Sequence, residues 1–324
     1  MGRGEYGKVS SKETGALRSG GAHRVVRSLV WILIVYVFCA MMLALLQRSL
    51  IYLPTRQGEI EPEDAGLPPG RVHTITVRAD DGLELRGWHV LPAGQSAADR
   101  AACDRQLAHG RPLVLYFSGN GGNRCYRIDE LEVLGRIGCD VFLFDYRGYG
   151  DNGGSPSEEA LAADARAVWR YAVDERNASP ERIVLYGESL GGGVAIRLAA
   201  DLSQSGTPPG GIILRSTFSS LTDVAAHHYP WLPVRWLLVD RFPSVDLIPA
   251  VTCPILHLHG TRDAIVPIAF GRRLFAAAPE RSASGVAKRF VELAGAGHND
   301  VVFVAERPLE QAIREFLTVL DEQR

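Results

Sequence analysis

The sequence has few cysteines and almost no net charge. Its 324 residues include five cysteines without Cys-x-x-Cys spacing, so neither a zinc site nor a disulfide-stapled miniprotein is predicted. One disulfide among the four cysteines after position 39 is compatible with an oxidising compartment. The net charge of -2 predicts that nucleic acid is not a partner.

Internal repeats and low-complexity tracts are also absent, which excludes a solenoid or a fibrous protein. The hydrophobic fraction of 46% and the charged fraction of 22% are ordinary for a globular chain and exclude disorder and a multi-span membrane protein. The length allows one large domain with a short appendage.

One apolar stretch, residues 28–46, has no charge and no proline. At about 1.5 Å per residue it nearly spans a hydrocarbon core of ~30 Å. A cleaved signal peptide or a buried helix is the alternative, but signal peptides have shorter apolar regions and small residues before the cut. Residues 28–47 are therefore predicted to be an uncleaved transmembrane anchor.

Basic residues precede this anchor, in a tail over residues 1–27 that contains two acids, Glu5 and Glu13. The six cations of the tail are Arg3, Lys8, Lys12, Arg18, Arg24 and Arg27. Since positive charge favours the cytoplasmic side, we expect a single-pass protein with a cytoplasmic N-terminus. The catalytic domain is then periplasmic or otherwise extracytoplasmic.

After a linker predicted at 48–70, residues 71–324 alternate between strand-like and helix-like stretches, which is typical of βαβ units. Strands are predicted at 72–77, 83–90, 112–117, 140–145, 182–186, 211–215, 254–259 and 288–293. Helices are predicted at 124–137, 157–174, 190–202, 268–278 and 305–321. The later strands are continuous apolar runs, as expected of a parallel sheet covered on both faces; the first two could form an antiparallel edge hairpin.

The segment 217–248 lies between two predicted strands and is rich in aromatic residues and proline. It is either a crossover with aromatics in the core or a short helical lid. As a lid it would line a pocket, because ligand pockets are usually apolar and aromatic.

The strongest local signal is Gly187-Glu-Ser189-Leu-Gly191 between a predicted strand and a predicted helix. A serine hydroxyl becomes a nucleophile only when it is exposed beside a base. The sharp strand-to-helix turn of a Gly-x-Ser-x-Gly elbow exposes it, and flanking glycines permit the turn. Ser189 is therefore the predicted nucleophile of an α/β-hydrolase fold, with a mostly parallel eight-stranded sheet covered by helices on both faces.

An acid and a histidine must follow such a serine in chain order. Asp263 follows a buried strand in HGTRDAIVP, and His298 follows the last strand in GAGHND. Both therefore lie at the carboxyl edge of the sheet, where α/β sites assemble. The predicted triad is Ser189, Asp263 and His298.

Other residues compete for these roles. His257 and His259 lie inside a strand, which favours a position in the core or behind the site. His227 and His228 lack a strand end. Asp145 follows a strand and is the alternative acid.

An oxyanion hole needs two backbone N–H donors, one after the nucleophile and one after the third strand. Leu190 is predicted to supply the first and Asn120, in SGNGGN, the second. The glycine-rich loop lacks the Lys-Ser/Thr of a phosphate-binding loop. No cofactor or metal is predicted.

From about Arg48 onward the sequence resembles the membrane-anchored α/β-hydrolase domain proteins of the Bem type. The matching blocks are SGNGGN, DYRGYGDNGGSPSE, YGESLGGGVA, STFSSLTDVA, HGTRDAIVP and GAGHND. The resemblance implies the same fold and assigns the triad to Ser189, Asp263 and His298. Ser118 departs from the pattern, since relatives usually carry histidine there.

These observations predict a serine hydrolase that cleaves esters or thioesters, with a lipid or small acyl compound as substrate. An amidase or peptidase is an alternative within the same chemistry. A membrane-tethered binding protein that retains only the fold is the alternative from another class. A chain that begins near Pro54 is expected to be soluble and active.

Overall fold

The computed structural model describes residues 2, 4 and 16–324, with side chains from His23 onward. Most of the predicted basic tail, residues 1, 3 and 5–15, lies outside the described part. The chain divides into two units, Met1–Gln47 and Arg48–Arg324.

Helix α1 covers Ala16–Ile51. Within it, His23–Ile51 is long and apolar enough to cross a membrane, by length and composition. Trp31 and Phe38 on this helix are more than half exposed. This agrees with the prediction of one N-terminal apolar helix.

The second unit contains an eight-stranded sheet. Its strands are β1 Val72–Arg78, β2 Glu84–Val90, β3 Leu113–Phe117, β4 Asp140–Phe144, β5 Ile183–Glu188, β6 Gly211–Arg215, β7 Ile255–Gly260 and β8 Arg289–Leu293. Their spatial order is β8-β7-β6-β5-β3-β4-β2-β1. The ladders from β8 to β4 are all parallel, whereas β2 is antiparallel to both of its neighbours. The predicted edge hairpin and the mostly parallel sheet are confirmed.

Helices cover both faces of this sheet, because each central strand is apolar on both sides and needs two layers of cover. The remaining helices are α2 Arg100–Leu107, α3 Ile128–Ile137, α4 Glu158–Arg170, α5 Leu190–Gln204, α6 Leu221–His228, α7 Val234–Leu237, α8 Ser244–Leu247, α9 Ile268–Ala277 and α10 Val301–Glu322. Two buried apolar clusters result, one on each side of the sheet. Helix α2 was not predicted, and a π-turn, Tyr171–Glu175, continues α4.

The ends of these helices follow local capping chemistry. The Ser157 side chain accepts a hydrogen bond from the Ala160 N–H at the start of α4. The Asp99 side chain accepts one from the Ala102 N–H at the start of α2. Gly138 ends α3 with a positive φ of 99°, a conformation that glycine adopts without a Cβ clash.

The predicted linker, residues 48–70, belongs to the second unit. Tyr52 and Ile60 in it are buried, and Leu53–Pro54 pairs in parallel with Gly121–Gly122. The segment is thus packed against the domain that it was predicted merely to connect.

Candidate active site

Ser189 occupies the turn between β5 and α5. Its backbone has φ 50° and ψ -114°, a conformation that is strained for a residue with a side chain. The Ser189 N–H donates to the Arg215 carbonyl at 2.8 Å, which ties the turn to the end of β6. A Cβ on Gly187 would lie 2.6 Å from Gly192 Cα, and one on Gly191 would lie 2.0 Å from the Phe117 carbonyl oxygen. The glycines of the motif therefore permit the backbone to pack this closely.

The three residues of the predicted triad meet at the carboxyl edge of the sheet. Ser189 Oγ lies 2.9 Å from His298 Nε2, and His298 Nδ1 lies 2.7 Å from Asp263 Oδ2. Since a carboxylate can only accept, Nδ1 donates to Asp263 and Nε2 is the acceptor for the serine hydroxyl. The structure brings together all three side chains from the ends of β5, β7 and β8.

Asp263 is held as a charged acceptor. Its Oδ1 accepts from the N–H groups of Ile265 and Val266 at 3.0 and 2.7 Å. Burial alone would raise its pKa, but His259 at 3.5 Å and the hydrogen bonds from His298 and the Val266 N–H outweigh that effect and hold the pKa of Asp263 well below its usual range. A permanent carboxylate at this position favours a protonated Nδ1 on His298.

The competing histidines lie elsewhere. His259 is buried and donates from Nε2 to the Val266 carbonyl at 2.8 Å, so it sits behind Asp263. His257 is buried against Phe290, and burial lowers its pKa well below the usual value. His228 bonds to the Ile265 carbonyl at 2.8 Å.

Asp145, the alternative acid, is paired with Arg124 at 2.6 Å instead of with a histidine. Asp300 accepts from the Gly297 N–H at 2.6 Å and so shapes the loop that carries His298. The structure therefore places Asp263, and neither of these two acids, beside His298.

The two predicted oxyanion donors lie in the loop after β3 and at the first residue of α5. Within residues 16–324, no protein acceptor is bonded to the N–H of Asn120 or of Leu190. The loop is held at the next peptide unit, because the Asn120 carbonyl accepts from the Leu53 N–H at 2.9 Å and from the Tyr149 hydroxyl at 2.8 Å. Ser118, the position that departs from the family pattern, is buried, and its carbonyl accepts from Tyr146.

The last turn of α1 and the residue after it bond to this loop and to Asp240. The side-chain amide of Asn120 donates from Nδ2 to the Ile51 carbonyl at 2.7 Å. Tyr52 is 2% exposed, and its hydroxyl donates to Asp240 at 3.0 Å. Arg48 also pairs with Asp240, at 3.1 Å. These contacts could not be predicted from the sequence, because the residues involved are far apart along the chain.

A buried ionic network lies directly behind the nucleophile. Arg215 pairs with Glu130 at 2.6 Å and with Glu188 at 3.1 Å, and Arg127 pairs with Glu188 at 2.6 Å. Burial would raise the pKa of Glu188, but Arg215 and Arg127 outweigh that and lower it. The Arg215 guanidinium also donates to the His298 carbonyl at 3.3 Å. The network thus connects the elbow to the histidine loop.

Sequence reasoning missed this network. A signal was present, since Arg215 ends the apolar run GIILR and Glu188 precedes the nucleophile. A charge at the end of a buried strand needs a partner, but the sequence does not show which partner the fold supplies.

A cavity of about 540 Å³ opens at Ser189, within the usual range for small-molecule sites. Its lining includes both apolar side chains and the charged residues of the network. The lining residues are Leu53, Gly119, Asn120, Gly121, Tyr126, Arg127, Asp129, Glu130, Glu188, Ser189, Arg215, Ile265, His298, Asn299, Val301, Val302 and Phe303.

The aromatic segment 217–248 folds as three short helices, but none of its aromatic side chains lines this cavity. Phe218 and Phe242 are buried in the core, whereas Tyr229, Trp231 and Trp236 are more than half exposed. The expectation that a lid over 217–248 contributes aromatics to the pocket wall is therefore corrected. Composition could not separate core and surface aromatics in a crossover.

Among the described residues, no group of three or more histidine, cysteine or acidic side chains could hold a metal ion. All five cysteines are free thiols, so no disulfide links the four cysteines after position 39.

A family model described as serine aminopeptidase, S33, matches residues 109–247. An uncharacterized protein of Mycobacterium tuberculosis is 41% identical over 84% of this chain and 87% of its own length. Lysophosphatidylserine lipase ABHD12 of Danio rerio is 30% identical over 95% of this chain and 88% of its own length. The narrower Bem-type grouping stays a prediction.

Solved structures share the fold at low identity. The Pyrococcus furiosus esterase Pf2001 superposes with a TM-score of 0.60 at 18% identity, over 82% of this chain and 98% of the esterase. An alpha-beta hydrolase of Vibrio vulnificus gives a TM-score of 0.58 at 20% identity, over 77% and 81% of the two chains. Together with the sheet order and the relatives of 30% identity or more, these likenesses show that the chain is a hydrolase of the α/β-hydrolase family.

Proposed function

We propose that this chain is a membrane-anchored serine hydrolase that cleaves acyl esters, with Ser189 as nucleophile, His298 as base and Asp263 as the acid that orients His298. The observation that carries the proposal is the bonded series from Ser189 Oγ to His298 Nε2 at 2.9 Å and from His298 Nδ1 to Asp263 Oδ2 at 2.7 Å. Three side chains from three separate strand ends meet in the order and geometry that acyl transfer requires.

In the first step Ser189 Oγ attacks the ester carbonyl carbon, and its proton passes to His298 Nε2. The tetrahedral intermediate then breaks its bond to the alcohol oxygen, which leaves with the proton from His298. A water molecule, deprotonated by His298, then attacks the acyl carbon. The bond to Ser189 Oγ breaks, the proton returns from His298 to Oγ, and the carboxylic acid is released. Asp263 stabilises the imidazolium in both steps.

The N–H groups of Asn120 and Leu190 are the proposed donors to the oxyanion. Their support is that both lack an acceptor within the described residues and that Leu53 and Tyr149 hold the loop at the adjacent Asn120 carbonyl. Fixed donors cost no reorganisation when charge develops on the oxygen.

The proposed substrates are lipid esters with one acyl chain and a polar head group, of which lysophospholipids are the leading class. The name of the Danio rerio relative, a lysophosphatidylserine lipase, supports this choice. So does the cavity, whose apolar lining residues suit an acyl chain and whose polar lining residues, among them Arg127 and Asn299, suit a head group. Acyl-thioesters share the same electrophilic carbonyl.

We propose that α1 anchors the protein with its N-terminus in the cytoplasm and the catalytic unit outside it. The length of His23–Ile51 supports the anchor, and the cations before it support this orientation. A C-terminal alkaline phosphatase fusion should be active. An inactive phosphatase with an active cytoplasmic reporter at the same position would reverse the topology.

The decisive experiment is labelling of the full-length protein in detergent by a fluorophosphonate, together with turnover of single-chain phospholipids and of p-nitrophenyl esters of graded length. Ser189→Ala should abolish labelling and turnover, while Ser284→Ala, a control at an exposed serine, should retain both. Labelling that persists in folded Ser189→Ala would exclude this nucleophile. Faster cleavage of peptidyl p-nitroanilides than of esters would favour a peptidase, and the absence of both activities would favour a binding protein.

A further inference from the structure

Four large apolar side chains surround the mouth of the cavity and are exposed. Leu53, Tyr126, Ile265 and Phe303 are 53%, 64%, 48% and 76% exposed, and all four line the cavity. These four residues are called the collar below. They come from four separate segments of the chain, so their exposure is not the consequence of one apolar stretch.

Chain connectivity fixes how far the collar can be from the end of the membrane segment. Leu53 lies six residues after Gln47, where the first unit ends. A fully extended chain covers at most 3.3–3.6 Å per residue, so this distance is at most about 20 Å. This bound holds in any orientation of the anchor.

Contacts inside the second unit bring the cavity mouth close to Ile51, the end of the apolar helix. Ile51 is the last residue of the apolar helix, and its carbonyl accepts a hydrogen bond from Asn120, which itself lines the cavity. Leu53 in turn pairs with Gly121 beside Asn120. The loop at the cavity mouth is therefore bonded directly to the end of the apolar helix.

An aromatic side chain of the type found at membrane surfaces lies nearby. Trp236 is 87% exposed and precedes Asp240, which pairs with Arg48 and Tyr52. Tryptophan and tyrosine are enriched where the head groups of lipids meet the acyl chains. Tyr126 of the collar is of the same type.

We propose that the collar docks on the surface of the membrane that holds the anchor, so that the cavity mouth faces the lipid leaflet. This inference rests on the proposed function, because it names where the ester comes from: a lipid in the adjacent leaflet moves its acyl chain past the collar to Ser189. Exposed apolar groups rimmed by polar residues mark protein or membrane contact sites. Because Leu53 is only six residues from the end of the anchor, the surface that the collar can reach is the membrane.

The first arm of the test measures the position of the collar directly. Phe303→Cys and Val319→Cys are made in full-length Cys39→Ser protein, labelled with an NBD fluorophore, and reconstituted in phosphatidylcholine vesicles, with unsubstituted Cys39→Ser protein labelled in parallel. Val319 is the control, since it is 37% exposed and lies fourteen residues, or about 21 Å of helix, beyond the kink at Ala305 that separates it from Phe303.

The label at 303 should show blue-shifted emission and quenching by a quencher carried on the lipids, whereas the label at 319 should behave as in water. Water-like emission at both positions would overturn the proposal. A blue shift at 303 without quenching by the lipid-borne quencher would place the collar against a second copy or another protein and would also overturn it. Neither reading depends on turnover, so failure here is separate from failure of the proposed hydrolase activity.

The second arm compares Phe303→Ser with Val319→Ser. The ratio of turnover of a long-chain ester embedded in vesicles to turnover of a dissolved short ester should fall about tenfold in Phe303→Ser, as expected from the loss of one buried aromatic side chain. Val319→Ser should leave the ratio unchanged. An equal ratio in wild type and both variants would contradict docking.

Discussion

The Ser189 N–H donates to the backbone carbonyl of Arg215 at 2.8 Å. The side chain of the same arginine bonds Glu130, Glu188 and the carbonyl of His298. One residue at the end of β6 therefore contacts both the nucleophile turn and the histidine loop. This relationship leads to the first prediction.

Arg215→Met should lower the free energy of unfolding by about 3–5 kcal/mol, because it leaves buried Glu130 without its cation and leaves Glu188 with Arg127 alone. Arg272→Met is the control. Arg272 pairs with Glu292, but both side chains are about half exposed, so its removal should cost no more than about 1 kcal/mol. Denaturant unfolding of both variants measures the difference. Equal losses of unfolding free energy in the two variants would contradict the prediction, because the buried pairs would then contribute no more than the exposed pair.

His298→Ala and His259→Ala should separate catalysis from structure. His298→Ala removes the proposed base and should lower kcat by at least ~10³-fold with little change in thermal midpoint. His259→Ala removes a buried side chain that bonds the Val266 carbonyl, so it should lower the midpoint. A larger loss of kcat in folded His259→Ala than in His298→Ala would reverse the assignment of the base.

The sequence predicted the residues of this candidate site because each one directly follows a recognisable strand. Ser189, Asp263 and His298 each follow an apolar strand, and parallel strands end at one edge of the sheet. The later strands were predicted because continuous apolar runs between turns have few alternatives, whereas the first two, VHTITVR and ELRGWHV, are not continuous apolar runs.

What the sequence did not predict depends on contacts between distant segments. Tyr52 was assigned to a linker, but it is buried and bonded to Asp240. Trp236 was considered for the pocket wall, but it is exposed. Helix α2 was missed because its sequence, RAACDRQL, has too few apolar residues for a clear helical period.

Asp263 should make stability depend on acid pH. Its pKa is lowered in the folded protein, so its contribution is present above the ordinary carboxyl pKa of about 3.9 and is lost as pH falls from there toward the lower folded value. Below about pH 4, Asp263→Asn should therefore lose stability less steeply than wild type, by up to about 1.4 kcal/mol per pH unit. Unfolding free energies at pH 5, 4 and 3 measure the slopes.

Ser189→Ala is the control for this experiment, because it alters the same site without removing a titrating group. It should retain the wild-type slope. Parallel slopes for wild type and Asp263→Asn would contradict the lowered pKa of Asp263 in the folded state.

Truncation should show where the catalytic unit begins. A chain that starts at Arg48 keeps the bond from Asn120 to the Ile51 carbonyl, the buried Tyr52 and the pairing of Leu53 with Gly121. A chain that starts at Thr55 loses all three. Removal of a buried aromatic side chain alone costs about 3–5 kcal/mol, so the shorter chain should have a clearly lower thermal midpoint.

In contrast to the sequence-based expectation for a chain that begins near Pro54, the shorter chain should also lose ester turnover before it unfolds. The Leu53 N–H no longer holds the Asn120 carbonyl, so the loop that carries the proposed oxyanion donor is less fixed. Turnover of a dissolved short ester, measured well below both midpoints, separates this loss from instability. A Tyr52→Phe variant of the Arg48 chain is the matched control, since it keeps the backbone contacts and loses only the bond to Asp240; it should retain kcat. If the chain from Thr55 were as stable and as active as the chain from Arg48, residues 48–54 would be a linker after all, and the catalytic unit would begin after them.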